Sequence, residues 1–96
     1  MSFAEYLRKD VRLVILRVLG EMPSYRANSS VLANMLDQFG HAVTRDQAKT
    51  ELCWLQEQGL IKIDKAGSVL VATLSERGQD VADGRASVDG ISRPRA

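Results

Sequence analysis

Cysteine, histidine and tryptophan occur once each, and proline twice, in the 96 residues of this chain. A lone Cys53 forms no internal disulfide, so the fold must rest on its apolar core, as expected of a reducing compartment. With one histidine and one cysteine there is no ligand set at metal-site spacing, and no glycine-rich loop is present to cradle a phosphate. A nucleophile paired with a base is missing too. The chain is therefore expected to be non-enzymatic, with no catalytic residue, metal or cofactor. His41 reads as a turn residue, and Cys53 as a half-buried helical cysteine acting as a small hydrophobe. The carboxylates are scattered among bases and read as solvated faces.

Long apolar runs are lacking as well. Arg12 and Arg17 interrupt the most hydrophobic segment, well short of the roughly 20 residues of a membrane span. The opening MSFAEYLRKD has no basic region followed by an apolar one, so no signal peptide and a cytoplasmic location are expected, with no membrane partner. Neither sign of charge dominates: 13 Lys plus Arg stand against 12 Asp plus Glu, a net +1. With 45% hydrophobic and 26% charged residues, the chain suits one small domain.

What is present is well punctuated. Ser2 with Glu5 forms a capping box, and Phe3, Leu7, Val11, Val14 and Val18 make a helical stripe through to Gly20. Tyr6, Leu13 and Leu16 project from other sides of that helix, so its apolar surface is wider than one contact requires. Those three are the expected seam of a homodimer. Pro23 and the stretch from Ser24 to Arg26 read as a loop; Asn28 or Ser29 then caps a helix carrying Val31, Leu32, Met35, Leu36 and Phe39, closed by Gly40. Thr44 with Gln47 is another capping box, followed by Ala48, Leu52 and Leu55 at spacings of four and three, and by Gly59 as a left-handed cap. The segments 60–64 and 69–74 are rich in β-branched residues and flank a turn containing Gly67, which predicts a hairpin. Ser75 caps a last helix to about Asp83.

This order, α-α-α-β-β-α, is that of a small α+β winged helix-turn-helix over residues 1–83, followed by a tail over 84–96 rich in Gly, Ser, Arg and Pro. In such folds the second helix of the motif enters the major groove of double-stranded DNA. The candidate DNA contacts are then Arg45, Gln47, Lys49 and Thr50 on the helix from Thr44 to Gln58. Arg26 before the preceding helix and Lys62 and Lys65 on the wing join them. Asp46 and Cys53 share the helix's outer positions, and the tail offers Arg85, Arg93 and Arg95. Asp46, Glu51 and Glu57 make this helix net acidic, so any basic face must come from folding. Trp54 beside Leu55 is expected to pack in the core.

The runs LCWLQEQGLI and VLVATLSERGQDVA resemble the end of the recognition helix, the wing and the following helix of ArsR-like and MarR-like regulators. A narrower resemblance spans nearly the whole chain. RLVILRVL, YRANSSVL, TRDQAKTELCWL, VLVATL and the tail GRASVDGISRP are similar to a family of small uncharacterised proteins of Mu-like phages and prophages. That resemblance implies life in a bacterial host's cytoplasm and genes near packaging genes. It admits a role among packaging or assembly proteins, as a protein-interaction module, beside the DNA-binding one. It also implies that Val88 to Pro94 docks on a partner subunit. The cysteine pairs of metal-sensing ArsR-like repressors are absent here, and Thr50 and Cys53 stand where DNA-reading helices often carry Arg or Lys.

Overall fold

The computed structural model describes residues 2–94. Arg95, one of the tail cations considered above, lies outside the described residues. The first helix, α1 (Phe3–Glu21), starts where Ser2 Oγ accepts the Glu5 N–H at 3.1 Å. It leads through a tight turn, Pro23–Tyr25, into a short strand, β1 (Arg26–Asn28). Then follow α2 (Ser29–Gln38), α3 (Arg45–Glu57), β2 (Ile61–Ala66), β3 (Val69–Leu74) and α4 (Glu76–Ala82). The expected order is present with one addition, because the stretch read as a loop ends in β1. Three residues are too few to show a period of two, and β1 forms only because β3 gives it a partner.

Local chemistry sets the helix ends. Asn28, not Ser29, caps α2 by accepting the Val31 N–H at 2.8 Å. Ser29 is buried, and its hydroxyl accepts the Leu70 N–H at 3.1 Å, which ties α2 to the sheet. At α3 both halves of the capping box are closed: Thr44 Oγ1 accepts from Gln47 N at 3.0 Å, and Gln47 Oε1 from Thr44 N at 2.8 Å. Gly59, at φ +76°, turns the chain out of α3 while the Leu60 N–H returns to the Leu55 carbonyl. That left-handed step is open to glycine at little cost.

The sheet runs β1-β3-β2, antiparallel throughout, with Arg26 and Lys62 both opposite Thr73, and Ala27 and Ile63 both opposite Ala72. One face lies on the helices and buries Ala27, Ile61, Ala72 and Leu74. α1 is central, packing against α2, α4 and β3. This explains its wide apolar surface and corrects the seam expected there: Leu16 is fully buried and Leu13 nearly so inside the single chain. Of the three seam residues only Tyr6 reaches the surface. The described part of the tail, up to Pro94, does not leave the molecule either. Ile91 is buried in the core and the Ser92 N–H donates to the Lys9 carbonyl at 3.2 Å. The segment expected to dock on a second subunit is seated on its own chain.

Candidate nucleic-acid interface

α3 has four distinct sides, each a stripe at spacings of three, four or seven. Ala48, Leu52 and Leu55 form the buried one. Opposite them lie Asp46, Thr50, Cys53 and Glu57, all exposed. Cys53 is thus a surface residue, which corrects the half-buried reading. This outward stripe carries two carboxylates and no cation.

The flank toward the hairpin holds Arg45, Lys49 and Gln56, and it is tied down. Lys49 Nζ donates to the Ser68 carbonyl in the wing turn at 2.7 Å, while Gln56 Oε1 accepts the Ile63 N–H at 2.7 Å. Gln56 had no counterpart among the residues singled out from sequence, because its role depends on a strand edge seven residues away. The opposite flank holds Gln47, Glu51 and Trp54. Glu51 is turned toward α1, where it meets Arg12 Nε at 2.6 Å and Arg8 Nε at 4.0 Å. Its charge is neutralised away from the outer face, so the acidity of α3 counted from sequence overstates what a ligand would meet. Trp54 is half-buried, with the Arg12 guanidinium 3.7 Å from its ring centroid.

Two polar side chains expected to read bases are already engaged. Gln47 Oε1 holds the capping box, and pairing with adenine needs both ends of that amide. The Thr50 hydroxyl donates to the Asp46 carbonyl at 3.2 Å, which leaves its methyl group and acceptor lone pairs to a ligand. His41 is more than a turn residue: its Nε2 lies 2.7 Å from Asp10 Oδ2 and joins the turn of the motif to α1.

The wing cations fall on opposite faces. Strand side chains alternate, and Lys62 and Lys65 are three residues apart. Lys65, opposite Leu70, belongs to the face shared with the helices, near the wing turn that Lys49 grips. Lys62 projects from the outer face, where Thr73 separates it from Arg26 two strands away, about 10 Å at the usual strand spacing. The expected contacts therefore divide into Arg45, Lys49 and Lys65 on one side and Arg26 with Lys62 on the other. Arg85 and Arg93 are exposed in the tail, Arg93 with Nη2 3.5 Å from Ser87 Oγ.

Exposed apolar side chains gather elsewhere. Phe3 is 76% exposed and Phe39 61%, with Leu7 and Tyr6 beside Phe3 on α1. Between α1 and the end of α2 runs an open groove of about 410 Å³, walled by Val14, Val18, Met22, Met35 and Phe39. No helix among the described residues is long and apolar enough to cross a membrane.

Comparison with known proteins places this architecture. No family model matches the chain. It is 46% identical over 91 residues to protein gp26 of Escherichia phage Mu, covering 95% of this chain and 94% of that one. Among solved structures, ZitR of Lactococcus lactis superposes with a TM-score of 0.62 at 28% identity, over 86% of this chain and 58% of that chain. Sco3205, a MarR family transcriptional regulator from Streptomyces coelicolor solved in complex with DNA, gives 0.63 at 19% identity, over 80% and 50%. The chain thus spans between half and two thirds of the length of these two proteins. With its winged-helix fold and its likeness across almost the full length of both proteins, this chain belongs to the family of phage Mu gp26.

Proposed function

We propose that the protein is a non-enzymatic DNA-binding regulator of phage or prophage origin, acting in the cytoplasm of a bacterial host. In this reading α3 enters the major groove and the hairpin lies along the backbone, the docking mode of helix-turn-helix proteins. The observation that carries it is the Lys49–Ser68 tie, which joins helix and wing, with Arg45 one turn before Lys49 and Lys65 on the hairpin face shared with the helices. The structural likeness to a MarR family regulator solved with DNA supports it. The outward stripe of α3 has little to offer base edges, so affinity comes mostly from phosphate contacts along the helix–wing edge.

Titration of duplex DNA at several salt concentrations tests this. With about three phosphate contacts, log K should fall against log salt with a slope near −3. The double variant Arg45→Ala/Lys65→Ala should flatten it by about 2, whereas Arg26→Ala/Lys62→Ala on the other face should change it less. Absence of salt-sensitive binding overturns the reading in favour of a protein-interaction module, and a slope indifferent to both pairs overturns docking through the helix and wing.

We further propose that the exposed face of α1 pairs with a second copy, in place of the buried Leu13 and Leu16. Asp10 and Arg17 lie one heptad apart beside Val14 on that face. Antiparallel pairing about the point between them sets each Asp10 against the partner's Arg17. Phe3 and Phe39 gain cover in the same step, and Tyr6 lies at the rim. Sedimentation of the wild type should show a dimer; Phe3→Ser and Arg17→Asp should each shift it toward monomer. A wild type that stays monomeric at high concentration excludes the pairing.

A further inference from the structure

The wing holds α3 along one flank only. A helix seated by the narrow stripe Ala48, Leu52 and Leu55 and tied at Lys49 and Gln56 could still roll about its axis unless its other flank were held. That flank is held by the returning tail. Gly90 lies close against the indole of Trp54: a Cβ there would stand 2.8 Å from Cζ2, 2.9 Å from Cη2 and 3.0 Å from Arg12 Nη1, at φ +96°. Arg12, from α1, joins all the parts. Its Nη1 donates to the Gly90 carbonyl at 3.0 Å, its Nε to Glu51 at 2.6 Å, and its guanidinium covers the Trp54 ring. Glu51 and Trp54 are three apart and so share this side of α3. Ile91 in the core and the Ser92 N–H on the Lys9 carbonyl anchor the segment just beyond the contact.

We propose that Gly90 and Arg12 are positioning residues for α3. Segment 88–92 closes over Trp54, fixes the roll of the helix, and so determines which of its side chains face a ligand. Only a residue without a side chain lets the backbone reach the indole, and only a planar cation can stack on the ring while donating sideways to a carboxylate and a carbonyl. The effect on DNA rests on the reading above; the hold on α3 does not.

The test uses full-length Gly90→Ala and Arg12→Lys, the latter keeping the charge while losing the planar fork. In Gly90→Ala, Trp54 emission should shift to the red and its quenching by acrylamide should rise. Amides of α3 should exchange about tenfold faster or more, with those of β2 and β3 unchanged; Arg12→Lys should give a smaller change of the same kind. A merely structural loss would instead raise exchange across helix and hairpin together. If the wild type binds DNA, Gly90→Ala should weaken binding several-fold at an unaltered salt slope, because no phosphate contact is removed. A wild type that fails to bind DNA sinks the DNA reading alone. Unchanged α3 exchange in a Gly90→Ala protein whose Trp54 has become exposed, or a uniform rise across helix and hairpin in both variants, overturns the positioning role.

Discussion

Gly78→Ala is expected to destabilise the protein by about 3 kcal/mol or more, although glycine-to-alanine changes inside helices usually stabilise by up to about 1 kcal/mol. The reversal comes from position. Gly78 lies in the first turn of α4, where its N–H donates to Ser75 Oγ, and the helix passes directly over the residue that enters β2. A Cβ at Gly78 would fall 2.1 Å from the Leu60 carbonyl oxygen and 2.6 Å from Leu74 Cδ1. Leu74 could change rotamer. The carbonyl cannot move alone, since it accepts the Ser75 N–H at 3.0 Å and its residue closes the end of α3. Relief therefore requires α4 to lift from the sheet and give up contacts of buried Val81 and Ala82. In a domain of this size the midpoint of thermal unfolding should drop by roughly 12 °C or more. An unchanged or higher midpoint would show that α4 is not pinned at this point.

The elements were legible because each is announced by neighbours in sequence. Thr44 and Gln47 form their box within one turn, Ser2 and Ser75 cap within three residues, and Gly59 ends α3 by its own backbone freedom. The faces were less so. That Lys62 and Lys65 oppose one another is a consequence of strand alternation, yet the register of Lys62 with Arg26 through Thr73 exists only once β1 is recognised. Leu13 and Leu16 looked surplus because the wide surface of α1 has a use only in three dimensions, among α2, α4 and β3. The inward turn of Glu51 depends on Arg12, 39 residues away, and Arg12 in turn meets Gly90 across 78 residues. No local period carries such information.

Long-range dependence of this kind makes Arg12 the second site where one change should have a large effect. Arg12→Ala removes the partner of Glu51 at 2.6 Å, the donor to Gly90 and the cover of Trp54 in a single step. The side chains of Arg12 and Glu51 are only 12% and 15% exposed, so solvent screens the pair weakly and a stranded carboxylate regains little hydration. Breaking a fully buried pair by deleting one partner costs about 3–5 kcal/mol; with this residual exposure and Arg8 at 4.0 Å able to approach, about 2–3 kcal/mol is expected. Glu51→Gln should cost less, because the amide can still accept from the guanidinium and the stack on Trp54 survives. In Arg12→Ala/Glu51→Gln the stranded charge no longer exists, so the double variant should be more stable than the sum of the single losses predicts, by about 1–2 kcal/mol. Urea unfolding of the four proteins measures this coupling directly. Strict additivity would mean that the charge of Glu51 adds nothing, and that Arg12 stabilises the fold through hydrogen bonds, Trp54 and the tail alone.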